Sequence, residues 1–164
     1  MIRKRAVQPK KRLRDKNYFS YDESFLSERV PQKLLGITER EYLKMFQEAC
    51  LLLEQKDIDK AVQAFTLLCQ LHPYIADCWY GLGCALRYDE KFQEALKAFF
   101  MAETIDPTQF EFYKQEIECC LELHDKKEAT HIFHRMNAHR KHIEDFAKKQ
   151  AEVDDLTSQM EAFS

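Results

Sequence analysis

The sequence predicts an all-α fold of stacked helix pairs. Three observations carry that expectation. Helix-forming residues abound, while the 164 residues include only three glycines and four prolines. Residues recur at a spacing of 34: Ala61 and Ala95, Phe65 and Phe99, Pro73 and Pro107. Capping pairs such as Thr38 with Glu41 and Asp125 with Glu128 stand where helices would begin. At 45% apolar and 32% charged residues, the chain has the balance of a soluble globular protein.

The elements follow in order. Residues 1–17 hold eight Lys/Arg against one Asp, a charge of +7, and the remaining 147 hold 17 against 27 Asp/Glu, a charge of −10. This basic tail is expected to be disordered, either solvated or folded back on the acidic body. It lacks the apolar stretch of a secretory signal. Over 18–37 a short helical segment is expected, opened by Ser20 with Glu23, carrying Phe25 and Leu26, and interrupted at Pro31. Leu34, Leu35 and Ile37 should then pack on the first helix pair. Three pairs are expected over 38–141, with helices at about 40–55, 58–71, 75–89, 92–105, 110–123 and 126–139. Thr108 with Glu111 also has capping spacing, and Asp57 can cap the second helix of the first pair. Over 142–164 the helix should continue, with Ile143, Phe146, Val153, Leu156 and Met160 along one stripe. That stripe suits a cap on the apolar end of a stack, with a partner-helix seam as the alternative.

The fullest copy of the 34-residue unit runs from Ala76 to Gln109 and places Trp79, Leu82, Gly83, Leu86, Ala95, Phe99, Ala102 and Pro107. This resembles the tetratricopeptide repeat, W-x2-L-G-x2-Y followed by A-x3-F, A and P, with Leu86 for the usual Tyr. The copy from Tyr42 keeps Ala61, Phe65 and Pro73, with Met45, Ala49 and Leu52 at the Trp, Gly and Tyr sites. The copy from Phe110 keeps Ala129 and Phe133, with Tyr113 at the Trp site and Lys141 in place of the closing proline. The resemblance implies a superhelix of three antiparallel helix pairs. Small residues such as Ala49, Gly83, Ala61 and Ala95 would let helices approach, and Trp79, Phe65 and Phe99 would fill the gaps.

Little in the chain points to reaction chemistry. The glycines allow no phosphate-cradling loop, and no nucleophile elbow is present. No apolar run approaches the ~20 residues of a membrane-spanning helix. The six cysteines include no CxxC pair and read as reduced thiols packed as small apolar groups in a cytosolic protein. Cys119 and Cys120 should diverge by about 100° around a helix. His131 with His134, and His139 with His142, have helical spacing but no acidic or cysteine partner to complete a metal site, so surface histidines are expected. Neither enzyme activity nor a cofactor is expected. The basic tail could attract nucleic acid, acidic lipid or an acidic protein, but its aromatics, Tyr18, Phe19 and Tyr21, lie only at its end, so stacking on a single strand is poorly supported.

In repeats of the resembled type, the first helix of each pair lines a concave face. By register the inward positions are Leu43, Phe46, Cys50 and Leu53, then Asp77, Tyr80, Cys84, Arg87 and Tyr88, then Glu111, Lys114, Glu118, Leu121 and Glu122. Clamps for an acidic peptide terminus need Lys and Asn where Phe46 and Cys50 stand. The expected groove starts apolar and ends acidic. It should accept an extended segment with spaced apolar anchors and basic residues toward the third repeat. Burial of Phe46, Tyr80 and Tyr88 inside their repeats is the competing expectation.

A narrower resemblance rests on F-T-L-L-C-Q-L-H-P from Phe65, W-Y-G-L-G-C from Trp79 and E-S-F-L from Glu23. These strings look like the class II chaperones of bacterial type III secretion, over roughly 22–140. The resemblance implies a cytoplasmic protein that grips an extended segment of a secreted translocator or other effector-type client before export. A homodimer is compatible with it, and no membrane insertion is implied. Carried over by position, the peptide-binding residues would be Phe46, Cys50, Leu53, Tyr80 and Cys84. Cys50 and Leu53 stand where that family often has aromatics, and the basic tail and V-P-Q-K from Val30 are atypical. A generic repeat adaptor is the alternative function.

Overall fold

A computed structural model of the chain describes residues 30–143 and 145–162. Among them the helices are α1 (Pro31–Leu34), α2 (Glu39–Glu54), α3 (Ile58–Leu71), α4 (Ala76–Tyr88), α5 (Phe92–Ile105), α6 (Phe110–Glu122), α7 (Lys126–His139) and α8 (Gln150–Ala162). Helices α2/α3, α4/α5 and α6/α7 form three pairs, and each pair packs on the next. The basic tail and the segment opened by Ser20 lie outside the described residues.

Every pair turns in the same way. Lys56, Glu90 and His124 stand 34 residues apart and hold φ of 63°, 59° and 57°. The next amide then reaches back over the helix end: Asp57 N to Leu52 O and Lys91 N to Leu86 O at 3.0 Å, Asp125 N to Cys120 O at 2.9 Å. Each bond satisfies a carbonyl that the helix terminus leaves open. A side chain in this left-handed conformation costs roughly 1 kcal/mol, so the carbonyl bonds and the packing on both sides must outweigh it. Between pairs, the turn at each proline is tied to the helix that follows. Trp79 Nε1 donates to Pro73 O at 2.8 Å, and Tyr113 Oη donates to Pro107 O at 3.0 Å.

Close packing of the pairs depends on two bare positions in α4. A Cβ at Gly81 would lie 2.2 Å from Phe65 Cε1, and one at Gly83 would lie 2.5 Å from Phe99 Cε1. Both rings are wholly buried, as are Ala49, Ala61 and Ala95. Thus α3 and α5 press their phenyl rings against the backbone of α4 from two sides. Cys119 belongs to the core of the first two pairs and Cys120 to that of the third pair and cap, which is the expected divergence.

Helix starts follow the sequence in part. Thr38 and Glu41 form a full capping box, with Thr38 N donating to Glu41 Oε2 at 2.9 Å. Asp125 Oδ1 accepts from Glu128 N at 3.0 Å. Asp57 stands at an N-cap, but its carboxylate turns to Lys60 at 2.6 Å instead of capping. Thr108 likewise does not cap α6. Its amide and hydroxyl go to Asp106, and Gln109 takes the N-cap position. Pro31 opens α1 at its first turn, where a missing N–H costs nothing. That single turn buries Val30 and Gln32, and it leaves Leu34 (76% exposed) and Leu35 in solvent, while Ile37 packs on the core as expected.

The helix expected to continue past 140 breaks. Asp145 takes a left-handed φ of 54°, a 3-10 turn (Phe146–Lys149) follows, and α8 begins only at Gln150. The break lets the chain fold back. Ile143, Val153, Leu156 and Met160 are buried against Phe110, Ile117, Ile132 and Met136 and close the end of the stack.

One buried cluster joins the second and third pairs. Arg135 Nη2 on α7 donates to Glu103 Oε2 of α5 at 2.8 Å and to Glu116 Oε2 of α6 at 2.6 Å. Its guanidinium also lies 5.0 Å from the centre of the Phe100 ring. One partly exposed cation thus faces two buried carboxyls. Burial, and then the neighbouring Glu103, push the Glu116 carboxyl up to about 9.

Two predictions follow from these contacts. Gly81→Ala forces the Phe65 ring to move and should lower stability by about 1–3 kcal/mol in urea unfolding, despite the better helix propensity of Ala. Combining it with Phe65→Leu should recover part of that loss. The folded chain holds the Glu116 proton where the unfolded chain has released it. Its contribution is therefore complete below about pH 4.3 and declines as pH rises toward the folded value. Between pH 5 and 8, Glu116→Gln should flatten the fall of stability with pH.

Candidate functional site

Helices α2, α4 and α6 lie side by side along one face. Tyr80 of α4 and Phe112 of α6 approach to 5.3 Å between ring centres, and Arg87 of α4 reaches Glu118 and Gln115 of α6. The Cys50 thiol of α2 lies in the field of Asp77 and Cys84 of α4.

The eleven residues expected to contact a peptide divide into two sets. Phe46, Leu53, Tyr80, Cys84 and Leu121 are buried within the chain, and Cys84 has no exposed surface. Expected on the wall of a groove, they pack behind it. The cause is specific for the two aromatics. Phe46 meets Phe65 edge-on at 6.0 Å, and Tyr80 meets Phe99 at 5.7 Å. Each inner-face ring is held by the phenyl group of its own second helix. Leu121 packs in the core beneath the cap. The other six reach solvent. Leu43 is 38% and Tyr88 37% exposed, while Cys50, Arg87, Lys114 and Glu118 are half-buried.

Ion pairs cover the third-repeat end. Arg87 Nη1 lies 2.5 Å from Glu118 Oε2. Lys149, just ahead of α8, pairs with Glu111 at 2.8 Å and sits over the Phe110 ring, while Lys114 pairs with Glu152 of α8. Burial opposes ionisation of both Lys114 and Glu152, but their mutual contact, joined by Glu111 and Glu118 around Lys114 and by Lys149 beside Glu152, outweighs it. Lys114 is raised and Glu152 lowered from their ordinary values. The end that charge counting made acidic is therefore largely compensated. Lys149 and Glu152 were not among the expected site residues. Their signal was available, because they stand three apart and off the apolar stripe of Val153, Leu156 and Met160.

Burial, aided by Glu54, pushes the Cys50 thiol up to about 12, and burial does the same for Cys84. Both remain neutral thiols, poor nucleophiles that behave as small apolar groups. Among the described residues no three His, Cys, Asp or Glu side chains group to hold a metal, and no helix is long and apolar enough to cross a membrane. The face offers apolar ledges and paired charges.

Residues 41–74 match the family model of the tetratricopeptide repeat. No curated protein sequence matches the chain. Solved structures share its fold. A type III secretion complex from Aeromonas hydrophila matches at 19% identity with a TM-score of 0.71, over 82% of this chain and 87% of that one. The Yersinia enterocolitica type III secretion chaperone SycD, in complex with a peptide of the translocator YopD, matches at 18% identity and 0.67, over 77% and 95%. The TPR2B domain of yeast Sti1, in complex with pHsp70, matches at 17% identity and 0.70, over 77% and 100%. The chain thus has the fold of a tetratricopeptide-repeat stack, with three helix pairs closed by a carboxy-terminal helix.

Proposed function

We propose that this chain is a cytoplasmic, non-enzymatic chaperone of type III secretion that holds an extended, translocator-like client segment along α2, α4 and α6. The observation that carries the reading is the make-up of that face. Leu43, Cys50 and Tyr88 form apolar ledges, and Arg87, Lys114 and Glu118 border them. Phe46, Leu53, Tyr80, Cys84 and Leu121 then act from behind, as a stiff backing that fixes where the ledges stand. The Yersinia chaperone of the same fold, which carries a translocator peptide, and the strings at Phe65–Pro73 and Trp79–Cys84 support the same role.

A general repeat adaptor is the second reading, supported by the likeness to the TPR2B domain of yeast Sti1 in complex with pHsp70. The inner positions of the first repeat argue against an acidic-tail clamp in particular. Phe46 and Cys50 supply no cation there.

The test is binding of a fluorescent peptide containing spaced proline and leucine, taken from a translocator. Leu43→Ala with Tyr88→Ala should weaken binding about tenfold or more, as expected when two contact residues costing about 1 kcal/mol each are removed. Circular dichroism should show unchanged helicity, since both side chains are exposed. Full affinity in the folded double variant would reject the proposed face.

A further inference from the structure

We propose that the chain entering α8 fills the places on α6 where charged groups of a guest would bind, so that the face accepts a segment uncharged opposite α6 and turns away acidic and basic ones. The inference rests on the function proposed above and names the kind of client. A row of charges on α6 is the first argument. Glu111, Lys114 and Glu118 are spaced three and four apart, which puts them on one side of the helix. Glu111 and Glu118 both act on the Cys84 thiol, so this side borders α4. Arg87 of α4 holds Glu118. The other two are met from α8. Lys149 Nζ stands 2.8 Å from Glu111 Oε1, and Lys114 Nζ donates to Glu152 Oε2. Lys149 and Glu152 also face each other at 3.7 Å. Glu111, Lys149, Glu152 and Lys114 thus form a chain of alternating sign.

The second argument is that these charges are separate from what anchors α8. Val153, Leu156 and Met160 are buried and hold the helix to the third pair. Lys149 closes the 3-10 turn ahead of α8, Glu152 lies in its first turn, and both stand off the apolar stripe. Their side chains are 29% and 40% exposed, so a guest can reach them.

Competition is the third. With α8 fixed by its apolar stripe, its two charges meet α6 without losing translational freedom. A guest charge loses that freedom, and it leaves the group it displaces without a counter-charge. An acidic guest must displace Glu152 to reach Lys114, and a basic one must displace Lys149 to reach Glu111. Uncharged side chains leave all four groups as they are. In place of the basic residues expected from the sequence toward the third repeat, the client should be neutral there.

The experiment uses the full chain and the translocator peptide described above, with versions carrying Asp-Asp or Lys-Lys at each end in turn, which covers both directions along the face. On the unaltered chain no extension should improve binding. Glu152→Gln leaves Lys114 without its partner, and an Asp-Asp version should then bind about three- to fivefold more tightly, with the Lys-Lys versions unimproved. Lys149→Met, which can keep the contact over the Phe110 ring, leaves Glu111 without its partner, and the preference should reverse. Adding Lys114→Gln to Glu152→Gln should cancel the gain. Both gains should shrink as salt rises, and circular dichroism should show unchanged helicity in every variant. Tighter binding of any extended peptide to the unaltered chain overturns the proposal. So does the absence of either gain, and so does a gain in Glu152→Gln that survives Lys114→Gln. If the unextended peptide binds throughout while the gains fail, this inference falls alone. If that peptide binds no form of the chain, the function proposed above falls and takes this one with it.

Discussion

The stack depends on two phenyl rings lying against bare backbone. Phe65 and Phe99 are both wholly buried, and each occupies space that a side chain on α4 would fill. Dispersion forces fall steeply with separation, so seating a ring directly on a helix backbone gains contacts that no larger neighbour permits. The two glycines face different partners. Gly81 receives the ring of the preceding pair, and Gly83 the ring of its own pair. Helix α4 is therefore the joint between two repeats. The rings on it carry the inner face as well, because Phe46 leans on Phe65 and Tyr80 on Phe99. Fixing the core fixes the backing of the candidate site.

The third pair shows what happens when the bare position is lost. Counting 34 residues on from Gly83 leads to Ile117, and from Phe99 to Phe133. Ile117 is fully buried, and Phe133 is only partly so. With a branched side chain occupying the gap, the ring cannot take the seat that Phe99 has. Other contacts hold this pair instead. Helix α8 covers its apolar end, and Arg135 bridges Glu103 and Glu116. Glu116 itself stands at the position equivalent to Leu82. A carboxyl in a leucine site is costly unless it is partnered or protonated, and Arg135 and the raised proton affinity together answer that cost.

Much of the fold could be read because its packing constraints repeat along the chain. Alanines, phenylalanines and prolines 34 apart mark sites where size is restricted, and the helix ends predicted from them lie within a residue or two of those observed. The left-handed turns at Lys56, Glu90 and His124 could not be read, since none carries the glycine that advertises such a backbone. The break before α8 was hidden for the same reason, as Asp145 gives no such sign. At the site, helical periodicity placed Phe46 on α2 and Tyr80 on α4. It could not tell an open face from one closed by a ring on the neighbouring helix. The pairs Lys114–Glu152 and Lys149–Glu111 are 38 residues apart in sequence and depend on how α8 folds back.

That closure bears on how the face could work. An aromatic floor that was loose and exposed would have to order itself around each guest, at about 0.5–1.5 kcal/mol per side chain immobilised. Here Phe46 and Tyr80 are already held before anything binds. On the proposed function, specificity would fall to the few groups that reach solvent. Leu43 and Tyr88 can reward apolar anchors at a fixed separation. The Arg87–Glu118 pair, only partly exposed, resists being broken by a guest that offers no replacement charge. On the proposed function, a guest that follows the inner face would place its apolar residues near the first two repeats and satisfy, or leave intact, the charges of the third. A flexible hydrophobic chain meets the first demand easily and the second only in particular sequences. The charged end, rather than the apolar one, would decide which chains are accepted.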